Sequence, residues 1–299
     1  MEVAQRAAAR PRRRGRGRRR VRAARLWPRV RRLRARLRRV WPNARRRRRL
    51  AQAFRRAPAP AQIAGIALAA AALWAGANGV YQVIRKPTEL FFPVSGTLYK
   101  TPAETWDAYG RLFRRHATDA ITAEFLAALA QVEGSGNPVA RTYWRWSWAA
   151  DPFEVYQPAS SAVGMYQFTD GTFEAAKRWC IHDHVAVEEG PWYAWRSCWL
   201  NELYFRVVPS HAIELTSAYL DRAVAKALAR HGVRGATREQ KQRLAALTHL
   251  CGPAAGDRFA RRGLALDSGL RCGDHGAHRY VERVESMRAV FAALAAREP

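Results

Sequence analysis

The stretch Phe125-Leu126-Ala127-Ala128-Leu129-Ala130-Gln131-Val132-Glu133-Gly134-Ser135-Gly136-Asn137-Pro138 is followed, after an aromatic-rich segment, by Ser160-Ser161-Ala162-Val163-Gly164-Met165-Tyr166-Gln167-Phe168-Thr169. Its first eight residues form an apolar run that predicts a helix over residues 118–132, and that run stops on Glu133 before a glycine-rich turn. Glu133 is the only charge between Glu124 and Arg141. Partial burial there favours the neutral, proton-donating form of a carboxyl group, the property a general acid needs near neutral pH. The competing reading is a solvated glutamate near a helix C-terminus, although the helix dipole disfavours a negative charge at that end.

Glu-x-x-x-Asn-Pro at 133–138, followed by Ser-Ala-x-Gly-x-x-Gln-x-Thr at 161–169, resembles the catalytic core of the soluble lytic transglycosylases. These are goose-lysozyme-like enzymes that cut peptidoglycan. In that family Ser usually follows the glutamate, where this chain has Gly134, and a Gly-Leu-Met-Gln motif lines the groove, where this chain has Gly164-Met165-Tyr166-Gln167. A third motif, Ala-Tyr-Asn-x-Gly, is matched loosely by Thr248-His249-Leu250-Cys251-Gly252-Pro253, with Leu250 in place of the Asn. The resemblance is specific over 125–172 and extends more loosely over 110–295.

The resemblance implies a mainly α, lysozyme-like domain with Glu133 as the single acid/base and no metal or organic cofactor. The substrate would be the glycan strands of peptidoglycan, cut between N-acetylmuramic acid and N-acetylglucosamine to leave 1,6-anhydro ends. Contacts to substrate are expected from Ser135, Gly164, Met165, Tyr166, Gln167, Thr169 and His249. Met165 has two readings, lining the groove or packing beneath it. Gln167 carries an amide suited to sugar hydroxyls or an N-acetyl group. His249 is read either as a substrate contact or as a hydrogen-bonded interior histidine. Two other functions stay open: a lysozyme-type hydrolase, and an inactive peptidoglycan-binding or scaffold protein.

Charge is very unevenly placed. Residues 1–60 hold 25 Arg, no Lys and one acid, which accounts for +24 of the formal +28 and leaves +4 for residues 61–299. With few bulky apolar residues this tail cannot bury a core, and it reads as disordered. Three roles compete for it: phosphate or lipid binding, a positive-inside topology signal, or translation from an upstream, mis-called start. No recognition fold accompanies the tail, so a nucleic-acid partner is not expected.

No charge occurs between Arg56 and Arg85. Residues 61–84 therefore read as a signal-anchor or as a signal peptide with a cleavage site near Ala75-Gly76-Ala77. Either reading puts residues 85–299 outside the cytosol. The expected location is the periplasm, with an inner-membrane anchor and a cytoplasmic N-terminus if the segment is uncleaved.

Within 85–299, Trp106, Tyr109, Leu112 and Phe113 stand at helical spacing. Further helices are expected over 170–180, 209–231, 237–250 and 280–296. Tyr143, Trp144, Trp146, Trp148, Phe153 and Tyr156 crowd residues 141–157, serving as sugar platforms or as packing. Asp151 and Glu154 are the local carboxylates available as a second acid–base partner. Cys180, Cys198, Cys251 and Cys272 permit three pairings. The pairs Cys180–Cys198 and Cys251–Cys272 each close a short local loop and are the expected ones. The alternative, a metal site shared with nearby histidines, lacks the usual zinc-ligand spacing.

Overall fold

The computed structural model describes residues 44–194, 196–267 and 269–298. Most of the arginine tail, expected to be disordered, lies outside the described residues. Its last part departs from that expectation: Ala44–Arg56 is helix α1. Arg, Ala, Leu and Gln are good helix formers, and the exposed arginines keep their water.

The chain divides after Trp74 into two compact units. In the first, α1 precedes α2 (Ala59–Arg85), and the Phe54 ring covers Gly65, where a Cβ would come within 2.7 Å of it. Helix α2 runs unbroken through Gly76, Asn78 and Gly79. Among the described residues it is the one helix long and apolar enough to cross a membrane.

The second unit starts at Ala75, so it takes in the last turns of α2, ahead of the boundary expected at residue 85. A 3-10 turn (Pro87–Phe91) and the short α3 (Phe92–Ser95) lead to α4 (Pro102–His116). Thr101 and Glu104 form a capping box that starts α4. Next comes α5 (Ala123–Gly134), capped by Thr122, whose side chain accepts from the Phe125 N–H. The helix was expected to begin near Thr118. Thr118 instead accepts from the Ile121 N–H and donates to Asp221, closing a turn before the cap.

Every residue from Phe125 to Ala130 is buried, so α5 has no solvent face along that run. Around it pack α4, α7 (Pro209–Arg230) and, most extensively, α10 (Ala277–Ala295). Helices α8 (Arg238–Cys251) and α9 (Pro253–Arg261) complete the core, which includes Phe113, Ile213, Leu215, Leu247 and Phe291. Gln242 of α8 donates to Ala120 O and Thr122 Oγ1, fixing the start of α5.

Among the described residues, three two-stranded antiparallel ribbons interrupt the helices: β1 (Trp144–Trp146) with β2 (Tyr156–Pro158), β3 (Trp179–His182) with β4 (Val185–Glu188), and β5 (Arg271–Cys272) with β6 (His275–Gly276). The helix expected over 170–180 is therefore shorter. Helix α6 is Asp170–Ala176, and Cys180 sits in a strand. Local turn chemistry explains the change: Asp183 and His184 both adopt positive φ (49° and 64°), a hairpin turn that pairs Trp179–His182 with Val185–Glu188.

Both expected disulfides are present, Cys180–Cys198 and Cys251–Cys272. The second joins the end of α8 to β5, stapling the 253–271 segment. Replacing Cys251 and Cys272 together by Ser is expected to lower stability by about 2–4 kcal/mol in denaturant unfolding. An unchanged midpoint would show that the staple adds nothing beyond the packing of α9.

Candidate active site

The end of α5 must release its carbonyls within a buried environment, and a compact turn does so. Ser135 takes the left-handed conformation (φ 48°), and its N–H donates to Gln131 O at 3.0 Å. The Gly136 N–H donates to Ala130 O at 3.1 Å. Asn137, fully buried, donates to Ser95 O at 2.7 Å and accepts from the Val139 N–H at 2.9 Å. Gln131 ties the last turn to the start of α4, accepting from Thr105 and donating to Lys100 O. Glu133 is thus carried on a rigid helix end.

Its side chain is 17% exposed and meets two groups. The Tyr280 hydroxyl, on α10, donates a hydrogen bond to Glu133 Oε1. His249 Nε2, on the last turn of α8, stands 3.8 Å from the same oxygen, with a side chain only 8% exposed. Tyr280 is buried, and burial first, then the Glu133 charge, pushes its phenol well above the ordinary tyrosine range. It therefore remains a donor at physiological pH. Arg283, one turn further along α10, donates to Val132 O at 3.4 Å.

The second motif reaches the site as backbone. Gly164 has φ 84°, and a Cβ there would lie 2.7 Å from Arg206 O, so only glycine fits. Gln167 also has positive φ (49°), and its amide donates to Ala140 O at 3.2 Å and Gly164 O at 2.9 Å. Those bonds commit the amide hydrogens to shaping the loop. Met165 and Tyr166 are 0% exposed, and Tyr166 donates to Leu126 O. As substrate contacts their side chains are corrected: they pack beneath the loop, because the buried Phe125–Ala130 run of α5 needs apolar cover. Thr169 is exposed and caps α6. Ser135 is half-buried in the turn, where its carbonyl accepts from the Lys100 N–H.

Gly134 replaces the serine of the resembled motif for a steric reason. A Cβ there would fall 2.8 Å from Met165 Cα and 3.0 Å from Met165 O, so the end of α5 and the 164–165 backbone lie in direct contact. Leu250, in place of the motif's Asn, is half-buried and packs on the core at the end of α8.

The other carboxylates are engaged elsewhere. Asp151 accepts from the Phe153 N–H within its turn, and Glu154 pairs with Arg85 at 3.4 Å. Of the aromatic cluster, Tyr143, Trp146 and Trp148 are exposed, whereas Trp144 donates to Glu89 and Phe153 stacks on Tyr81.

The sequence places Tyr280 at the start of the last helix and gives it no partner. The signal was there: it adjoins Val281 on the stripe that continues to Val284, and a hydroxyl on a buried face needs a partner. Neither family models nor curated proteins match the chain.

The contact at Gly134 involves backbone atoms that cannot swing aside. Gly134→Ala is expected to destabilise the domain by about 1–3 kcal/mol in urea unfolding. The same change at Gly171, which has nothing within 4 Å of a Cβ, is expected to be neutral or mildly stabilising. Equal effects at the two positions would refute the contact.

Proposed function

We propose that the chain is a peptidoglycan lytic transglycosylase with a lysozyme-like catalytic domain. One observation carries the reading: the carboxylate ending a buried helix, Glu133, is gripped through Oε1 by Tyr280, and the next residue, Gly134, touches the backbone of the Gly164–Gln167 loop. That is the arrangement expected of a positioned single acid/base.

In this reading protonated Glu133 gives its proton to the glycosidic oxygen between N-acetylmuramic acid and N-acetylglucosamine. The bond from the anomeric carbon to that oxygen breaks through an oxocarbenium-like state, and the N-acetylglucosamine hydroxyl leaves. The Glu133 carboxylate then takes the proton of the muramic C6 hydroxyl. That oxygen bonds to the anomeric carbon, giving the 1,6-anhydro ring and restoring protonated Glu133. Tyr280 supports the carboxylate stage by donating to Oε1, which leaves Oε2 for the proton transfers. A hydrolase would use the same carboxyl on a water molecule. The two disulfides and the apolar α2 suit a domain working on the periplasmic side of the inner membrane, with the arginine-rich end in the cytoplasm.

Full-length protein in detergent, incubated with purified murein, is expected to release muropeptides lighter by one water than hydrolysis products. Reducing-end products would assign a hydrolase, and binding without release would assign a scaffold. Glu133→Gln is expected to slow release by about 100- to 10,000-fold while murein binding persists. Activity above a tenth of wild type would overturn the role.

Tyr280→Phe removes one charge-assisted hydrogen bond, worth about 1.5–3 kcal/mol. It should lower the melting temperature by several degrees and slow release by roughly 10- to 100-fold under conditions where the variant stays folded. An unchanged rate would reduce Tyr280 to a packing residue.

A further inference from the structure

Whether α2 is cut away or kept is not decided by its composition. Nineteen residues, 59–77, would reach about 28 Å as a helix, close to the roughly 30 Å hydrocarbon core of a bilayer. Their polar exception, Gln62, is tied to Arg55 O and Ala57 O at the start. The next residue, Asn78, begins a different regime. It is buried and donates to Tyr156 O at 2.8 Å, and Gln82, one turn on, donates to Phe153 O at 2.7 Å. Tyr81 stacks on Phe153 at 5.0 Å, and Arg85 pairs with Glu154.

Lys86 then enters the domain, donating to Ser160 O and Ala162 O and pairing with Glu89 at 3.4 Å. Glu89 also binds Arg141 at 2.9 Å and accepts from Trp144. Burial holds the Lys86 ammonium below its usual range, with Glu89 opposing that shift. No spacer separates the apolar helix from the folded domain: the apolar run ends at Ala77 and the docked residues start at Asn78.

The same region carries an unusual surface. Val80 and Ile84, on α2 itself, are exposed. So are Leu90, Phe92 (60%), Trp146 (68%) and Trp148. Two of these rings are tied to the docked segments. Phe92 lies under the Arg141 guanidinium at 3.9 Å, and Trp146 packs on Tyr156 at 4.6 Å, the residue whose carbonyl holds Asn78. The exposed rings of Phe92 and Trp146 are linked through Arg141, Glu89, Trp144 and Tyr156, and exposed aromatic groups gathered in this way mark an interaction site. Trp and Tyr with neighbouring arginines are what the headgroup layer of a membrane favours.

We propose that α2 is retained as an anchor, and that the surface formed by residues 78–94 and the β1–β2 hairpin is seated in the lipid headgroup layer on the side where the domain emerges. The occupant is a bilayer surface, because this patch continues directly from a helix of membrane-spanning length. The inference does not depend on the catalytic reading: a membrane-seated domain could be active or inert.

The test uses full-length protein in phosphatidylethanolamine–phosphatidylglycerol vesicles (3:1) containing lipids brominated near the glycerol backbone. The intact mass of membrane-purified protein should include α2. Bromine quenching of tryptophan emission should be clear in the parent and reduced in a Trp146→Phe/Trp148→Phe variant. The reduction should exceed the share expected from losing two average tryptophans of eleven. Both side chains are exposed, and near-ultraviolet circular dichroism checks that the variant folds. A chain cut after Ala77 overturns the proposal, as does unchanged quenching. Emission altered by soluble murein fragments but not by bromolipid would make these rings glycan platforms, which also overturns it.

Discussion

A helix without a solvent face has to end somewhere, and how α5 ends governs what the rest of the second unit can do. Its final carbonyls lie in a partly buried turn, where an unpaired polar group shut off from water costs about as much as a lost hydrogen bond. The turn at 134–139 resolves this with backbone bonds from Ser135 and Gly136 and with the buried amide of Asn137. A carboxyl group mounted on so constrained an end has little freedom to wander.

The two partners of Glu133, and the loop that touches Gly134, come from distant parts of the chain. Tyr280 is contributed by the last helix, His249 by the end of α8, and the glycine loop by the segment before α6. Each is fixed by a contact unrelated to chemistry. Tyr280 is placed by the packing of α10 on α5, His249 by the disulfide that follows at Cys251, and the loop by Arg206, which donates to Ser161 O and Phe168 O. Precision at the site is thus supplied by the scaffold and not by bonds among the site groups themselves.

Much of this was legible in the residues, and the remainder was hidden for physical reasons. The mainly helical core followed from periodicity, and the helices at 102–116, 209–230, 238–251 and 277–295 lie close to where spacing placed them. Local loop closure was enough to choose the cysteine pairs. The ribbon at Trp179–Glu188 was missed because apolar runs this short read equally well as helix, and the turn that decides between them lies in two positive-φ residues. For Met165 and Tyr166 the motif gave the loop but not the direction of its side chains, which depends on what α5 requires beneath it. Tyr280 is separated from Glu133 by 147 residues, a distance no local pattern spans.

The contact between Gly134 and the 164–165 backbone also bears on how such a site can change over time. Two segments whose main chains touch do not accept substitutions independently: a side chain at 134 becomes tolerable only after the facing loop has withdrawn, and a withdrawn loop has no reason to keep glycine at 134. Mutations at the two places should therefore be strongly epistatic, with effects that fail to add.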